Sequence, residues 1–145
     1  TADDFARSHP AGALGRRLLK ISDVMHTGDA IPSVRSDATL TEALMEMSRK
    51  GLGMTAIVDD AGVLQGVFTD GDLRRSLDDH AVDMRATSVS HAMSRHPKVI
   101  GPDKLAAEAA QLMETYKIHA LLVVDAGHHV VGALNIHDLL RARVV

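Results

Sequence analysis

The chain has 145 residues, a net charge of −3, 46% hydrophobic residues, 2% aromatic residues and no cysteine. This length predicts one ordinary domain with a hydrophobic core. The few aromatic residues argue against binding single-stranded nucleic acid by base stacking, and the negative net charge argues against nucleic acid and anionic membrane surfaces. The absence of cysteine excludes disulfides and thiolate metal sites.

The first 21 residues lie outside the repeat described below and include a basic stretch over 16–20. The chain starts with Thr1 rather than methionine, so we expect residues 1–21 to be a tail that follows an upstream domain. The longest apolar run, Ala120 to Val124, is too short to cross a bilayer. The absence of cysteine fits a reducing compartment, so we expect a cytoplasmic protein. The acidic balance and the short apolar runs favour neither a nucleic-acid partner nor a membrane.

An internal repeat organises the rest of the chain. Residues 37–75 match residues 103–141 without a gap, at a constant spacing of 66 residues. This spacing superposes apolar positions on apolar positions and Gly66 on Gly132, which indicates a duplication. We predict three segments after the tail: a first repeat over 22–78, a polar connector over 79–90 and a second repeat over 91–145.

The first repeat predicts the element order β-α-β-β-α. A short extended piece over 30–34 precedes a helix that begins at a capping box formed by Thr39 and Glu42. Two strands, Met54 to Val58 and Val63 to Thr69, flank a turn of the kind that joins hairpins. A second helix follows over 70–77.

The second repeat predicts the same order. Its elements are an extended piece over 98–100, a helix capped by Asp103 with an apolar stripe that reaches Tyr116, strands over 120–124 and 130–135, and a helix over 136–142. Units of this size bury too little apolar surface to be stable alone, so we expect the two copies to pack together in an α/β (α+β) fold.

The hairpin and helix of each copy resemble those of CBS domains. The resemblance is carried by Gly-Val-Phe-Thr-Asp-Gly-Asp-Leu (66–73) and Gly-Ala-Leu-Asn-Ile-His-Asp-Leu (132–139), and it covers residues 21–143. A tandem of this kind is called a Bateman module. The resemblance implies two CBS repeats packed about a pseudo-twofold axis, a nucleotide-like ligand in the cleft between them, and a homodimer formed through the modules.

The tail is similar to the junction in bacterial arabinose-5-phosphate isomerases, over Asp4 to Leu19 and Val24 to Gly28. Ala11 stands where the family usually has the first glycine of His-Pro-Gly-Gly. These aldose-ketose isomerases join a sugar-isomerase domain to a CBS pair and make the precursor of Kdo, an acidic sugar of lipopolysaccharide. The resemblance implies a tetrameric parent enzyme whose active site includes His9, although a linker histidine without a catalytic role is the simpler interpretation for this chain.

Thr69 and Asp72 are the first candidate ligand-binding residues. Thr69 ends a strand and Asp72 lies in the first turn of the next helix, where free N–H groups favour an anion. A hydroxyl there can bind phosphate, and a carboxylate can accept both hydroxyls of a ribose. The same pair is also good helix capping. The CBS resemblance implies the nucleotide motif Gly-x-x-[Ser/Thr]-x-x-Asp, which residues 66–72 match.

The second copy has Asn135 and Asp138 at the equivalent positions. Asparagine can donate to phosphate or cap the helix, so Asp138 keeps a possible ribose contact while the departure from Ser or Thr puts the phosphate contact in question. We expect two pseudo-equivalent clefts, of which one binds better.

His119 is a further candidate, because it precedes a strand and matches Gly53, whose missing side chain leaves room for a ligand. A partly buried, hydrogen-bonded histidine is the alternative interpretation. Leu52, Met54 and Ile118 are predicted to form apolar walls around a base, although methionines also pack in cores.

Three functional hypotheses remain open on the sequence. The first, for which the resemblance implies AMP, ADP, ATP or CMP-Kdo as ligand, is a regulatory module that requires no cofactor. The second is a structural module that joins isomerase subunits and binds nothing. The third is catalysis by this chain, which offers no positioned base, P-loop or nucleophile elbow. His128 and His129 lie in a predicted turn without a carboxylate or cysteine partner, so we predict no metal site.

Overall fold

Two three-stranded sheets, one from each repeat, carry the helices of the fold. The structure is a computed structural model that describes Gly15 and residues 18–145. A short helix, α1 (Ile21–Val24), precedes both repeats. The first repeat comprises β1 (Ser33–Arg35), α2 (Leu40–Lys50), β2 (Met54–Val58), β3 (Leu64–Thr69) and α3 (Asp70–Asp78). The second comprises β4 (Val99–Ile100), α4 (Ala106–Tyr116), β5 (Ala120–Val124), β6 (Val130–Asn135) and α5 (Ile136–Arg141).

The two sheets have the same topology and register. In each, the first strand runs parallel to the second, and the second pairs antiparallel with the third. Met54 lies opposite Thr69, as Ala120 lies opposite Asn135, and both hairpins carry an irregularity at the same position. Each residue pair across the first hairpin therefore has its equivalent across the second hairpin, 66 residues later. The predicted element order, α+β class and pseudo-twofold pairing are confirmed.

Local sequence rules predicted the start of α2 correctly but not the start of α4. The Thr39 hydroxyl oxygen accepts the Glu42 N–H at 3.1 Å, as predicted for the start of α2. The prediction that Asp103 caps α4 was wrong, because the helix begins after Leu105. The Leu105 N–H donates to the Glu108 carboxylate at 2.8 Å, and the Ala106 N–H donates to the Leu19 carbonyl at 2.8 Å. A backbone carbonyl that is distant in sequence therefore accepts a hydrogen bond from one of the N–H groups left free at the start of α4.

The apolar stripe of α4 ends earlier than predicted. Ala106, Ala109 and Met113 are buried, whereas Tyr116 is 47% exposed. The Lys98 ammonium lies 4.2 Å from the centroid of the Tyr116 ring, a cation–π contact. Tyr116 therefore belongs to the surface rather than to the core.

Each repeat is completed by a segment that precedes the other repeat in sequence. The N-terminal segment (residues 19–26) places the fully buried Ile21 in a cluster with Leu134 and other residues of the second repeat. The linker segment (residues 88–94) places the fully buried Val89 in a cluster with Phe68 of the first repeat. The two segments are thus exchanged between the two cores.

Backbone hydrogen bonds hold both exchanged segments against a sheet. His26 and Ala133 exchange two bonds, of 2.8 and 3.1 Å, and Ser94 and Val67 exchange two of 2.9 and 2.8 Å. Each segment lies so close to its sheet that the facing sheet position must be a glycine. A methyl group built on Gly66 would lie 2.7 Å from the Met93 sulphur and 2.8 Å from the Ser94 carbonyl oxygen. Gly132 meets Met25 in the same way.

A further cluster joins the two sheets. Its buried members come from both repeats and comprise Leu52, Met54, Ala56, Leu64, Val67, Leu122, Val124 and Ala133. The hairpin turns are also linked, because the Leu64 N–H donates to the His128 carbonyl at 3.0 Å and the Val130 N–H to the Gly62 carbonyl at 3.1 Å. None of the helices in the described part of the chain is both long and apolar enough to cross a membrane.

Candidate functional site

A cavity of about 730 Å³ lies between the two repeats and is lined by residues of both. The residues predicted to bind a ligand that line it are Leu52, Gly53, Met54, Thr69, Ile118, His119 and Asn135. The predicted residues Asp72 and Asp138 are not among the lining residues. Strand register explains the convergence, since the start of β2 pairs with Thr69 and the start of β5 pairs with Asn135.

Thr69 and Asp72 form a capping box at the start of α3. The Thr69 N–H and hydroxyl donate to the Asp72 carboxylate at 2.9 and 3.1 Å. The Ser94 hydroxyl donates to the same carboxylate at 3.0 Å, and Arg75 pairs with it. Asp72 is only 2% exposed. A contact of Asp72 with ribose stays a prediction, and it would require the carboxylate to exchange these partners.

Asn135 and Asp138 repeat this arrangement at the start of α5. The Asn135 N–H donates to Asp138 Oδ2 at 2.8 Å, and the Asp138 N–H donates to Asn135 Oδ1 at 3.2 Å. The His26 Nε2 atom lies 2.8 Å from Asp138 Oδ1, and Arg141 pairs with the same carboxylate. The predicted ribose contact of Asp138 also stays a prediction. Asp138 instead connects the cavity wall to the N-terminal segment.

The cavity wall carries cations that sequence reasoning missed. Arg74, Lys98 and Lys117 line the cavity, together with His137, and Asp70 is the one acidic residue among the described residues that line it. Positive charge of this density favours a ligand with negative groups. A sequence signal existed for Lys117, because it matches Gly51 at the end of the equivalent helix.

Both repeats of the chain match a known protein family. Residues 21–79 and 89–145 match the family described as CBS domain. The chain belongs to the CBS domain family. The resemblance predicted from the hairpin and helix sequences is confirmed.

Curated relatives of this CBS pair include sugar-phosphate isomerases. It is 58% identical over 146 residues to the arabinose 5-phosphate isomerase KdsD of Pseudomonas aeruginosa. It is 51% identical over 146 residues to the enzyme of the same name from Escherichia coli K12. Both matches cover 100% of this chain but only 44% of the relative. The chain therefore spans less than half the length of the curated relatives it matches.

Solved structures of CBS pairs share the fold. The structure of CBSX2 in complex with AMP has a TM-score of 0.74 at 25% identity, covering 87% of this chain and 96% of that one. The CBS domain pair of MJ0100, in complex with 5′-methylthioadenosine and S-adenosyl-L-methionine, has a TM-score of 0.73 at 23% identity, covering 84% and 93%. The second likeness concerns the fold alone.

The histidines of the CBS pair occupy different surroundings. The backbone carbonyl of His119 accepts the Ile136 N–H at 2.8 Å, which ties the start of β5 to the start of α5. In the β5–β6 turn, a ring nitrogen of His129 lies 3.1 Å from the Asp125 carboxylate, so the prediction that this turn lacks a carboxylate partner was wrong. The His129 backbone N–H, the largest influence, lowers the pKa of Asp125 below its ordinary value. His9 lies outside the described residues.

Lys117 holds its place in the cavity wall at a conformational cost. It ends α4 in the left-handed region with a φ of 55°, where the equivalent Gly51 has a φ of 73°. We expect Lys117→Gly to be about 1 kcal/mol more stable than Lys117→Ala, because only glycine adopts this conformation without strain. Urea unfolding of the two variants measures the difference. Equal stability would contradict a strained backbone at this position.

Proposed function

We propose that this CBS pair is the regulatory part of an arabinose-5-phosphate isomerase and binds a nucleotide-like anion in the cavity between its repeats. The observation that carries the proposal is the cavity itself, because both repeats line it and Arg74, Lys98 and Lys117 outnumber Asp70 in its wall. Isomerase relatives at 58% and 51% identity support the parent activity. The AMP complex of CBSX2 supports a nucleotide. The candidate effectors are adenine nucleotides and CMP-Kdo. The parent enzyme would act in the cytoplasm, on the route to lipopolysaccharide.

A short series of contacts leads from the cavity to the N-terminal segment. Asn135 lines the cavity and bonds Asp138, and the Asp138 carboxylate lies 2.8 Å from His26 in the N-terminal segment. His26 also exchanges two backbone bonds with Ala133 of β6. A ligand that binds one arrangement of these contacts more tightly than another shifts the position of the segment, and with it an upstream isomerase domain.

Isothermal titration calorimetry of the 145-residue chain with AMP, ATP and CMP-Kdo tests the proposal. We expect saturable binding of at least one, and weaker binding of adenosine or cytidine, because both lack the charge that the wall complements. Addition of the same ligand to the full-length isomerase is expected to change its turnover of arabinose 5-phosphate. No heat with any of the three at millimolar concentration would overturn the proposal.

The second candidate is a structural module that joins isomerase subunits without a ligand. Two observations favour it. The Asp72 and Asp138 carboxylates already have intramolecular partners, and helices expose the apolar side chains of Met45, Leu77 and Leu140. Such faces would suit a homodimer within a tetrameric parent. In that case the chain is a dimer in sedimentation experiments, and none of the nucleotides raises its melting temperature.

A further inference from the structure

His26 attaches the N-terminal segment to the second repeat through its side chain as well as its backbone. Its backbone N–H and carbonyl exchange two hydrogen bonds with Ala133 of β6. Its Nε2 atom lies 2.8 Å from Asp138 Oδ1, and because a carboxylate only accepts, Nε2 carries the proton and donates it. The Asp138 side chain is 4% exposed, so the ring reaches a buried carboxylate. The imidazole is therefore a third point of attachment, added to the two backbone bonds.

The linker segment is attached to the first repeat in the same way, but by a different side chain. Ser94 exchanges two backbone bonds with Val67 of β3. The Ser94 hydroxyl donates to Asp72 Oδ1 at 3.0 Å, as the His26 ring donates to its own carboxylate partner. Ser94 and His26 thus hold equivalent places, but only the imidazole of His26 gains a charge within the physiological range of pH.

Protonation of His26 turns its bond to Asp138 into a bond between opposite charges, which is stronger than one from a neutral ring. The His26 side chain is 35% exposed, so its ring exchanges protons with water. Arg141 pairs with the same Asp138 oxygen and repels a charged ring. The Arg141 side chain is 67% exposed, however, so water screens this repulsion more than it screens the buried carboxylate. The attachment therefore gains strength as the pH falls through the range in which histidine takes up a proton.

The elements that meet His26 carry few charged groups. The titratable and charged side chains are His137, Asp138 and Arg141 on α5, with Lys20 and Asp23 on the N-terminal segment itself. β6 carries none. Within the described part of the chain, Asp138 is the ion-pair partner of His26. His137 lines the cavity, and the Asp23 carboxylate accepts the Lys20 N–H at 2.8 Å. The pH response of the attachment is thus assigned to the pair of His26 and Asp138, with Arg141 beside it.

We infer that His26 makes the attachment of the N-terminal segment to the second repeat sensitive to pH, tighter at about pH 6 than at about pH 8, whereas the Ser94 attachment of the linker segment does not respond. The inference goes beyond the proposed function, because it requires no ligand in the cavity. Since the proposed route from the cavity to an upstream domain passes through the N-terminal segment, protons act on the same route as the ligand.

Hydrogen exchange of the ligand-free 145-residue chain, followed by NMR at about pH 6 and about pH 8, tests the inference. The amides of His26 and Ala133 report on the N-terminal segment, and those of Ser94 and Val67 report on the linker segment in the same sample. After correction for the intrinsic exchange rate at each pH, we expect the first two amides to be about 3- to 5-fold better protected at the lower pH. The other two should keep the same protection. An equal response of both pairs, or no response, would overturn the inference and leave the proposed function untouched.

Two matched variants assign the response to the ring. His26→Gln keeps an N–H donor for Asp138 but does not titrate, so we expect the pH response of the Ala133 amide to disappear. His80→Gln removes an exposed histidine of the connector and should leave the response intact. A response that survives in His26→Gln comes from another group, and the inference is then wrong. If His26→Gln fails to fold, the wild-type comparison decides alone, because both pairs of amides lie in one molecule.

Discussion

Replacing Phe68 with alanine will lower the free energy of unfolding by about 3–5 kcal/mol. Phe68 is fully buried, and its cluster includes Leu40, Ile57 and Val89. The Phe68 ring belongs to β3 and packs in the same cluster as Val89 of the linker segment, so its removal leaves a cavity where these two parts of the chain meet. Since domains of this size are stable by only about 5–15 kcal/mol, the loss is a large share of the total. Chemical denaturation followed by circular dichroism measures it.

Two matched variants define the expected range for Phe68. Leu134 is the equivalent residue of the second repeat and is also fully buried, so Leu134→Ala should cost about 2–5 kcal/mol. Leu77 is 61% exposed on α3, and Leu77→Ala should change stability by less than about 0.5 kcal/mol. A Phe68→Ala loss as small as that of Leu77→Ala would show that the first core is not packed as described.

Reversing two charges in the cavity wall should have the largest effect on ligand binding. The double variant Arg74→Glu and Lys117→Glu replaces one cation from each repeat with an anion at the lining positions. We expect binding of AMP, or of whichever nucleotide binds more tightly, to weaken by roughly 100-fold or more, because charge-assisted bonds are lost and repulsion is added. Binding by the wild type should also weaken as ionic strength rises.

The control for this variant carries the same change in net charge elsewhere. Arg85 and Lys104 are exposed and do not line the cavity, so Arg85→Glu with Lys104→Glu tests the general field of the protein. We expect binding close to that of the wild type. If both double variants weaken binding equally, the effect comes from net charge and the cations of the wall have no special role.

The parts of the fold that local chemistry determines were predictable. The strands β2, β5 and β6 begin and end where apolar runs and turn residues place them, and β3 lacks only Val63. The spacing between repeats also predicted that Thr69 and Asn135 would occupy equivalent positions. Because register then brings the starts of β2 and β5 beside them, most of the candidate site could be assembled from the sequence.

The remaining features depend on contacts between distant segments. Nothing local shows that the Leu19 carbonyl would accept a hydrogen bond from the start of α4. The same holds for the Ser94 hydroxyl that donates to Asp72 and for the His26 ring that lies beside Asp138. The cations of the cavity wall were missed for the same reason. Arg74 lies on α3 and Lys117 directly follows α4, and only tertiary structure places them on one surface.

The exchange of the N-terminal and linker segments has a consequence for the origin of the chain. Each sheet-and-helix unit buries an apolar side chain, Ile21 or Val89, that belongs in sequence to the other unit. A single ancestral copy could have met this need by trading the same segment with a second identical molecule, which is domain swapping. Gene fusion then turns a swapped homodimer into one polypeptide. Once the two halves are fused, their sequences are free to diverge, and Thr69 and Asn135 are one place where they have done so.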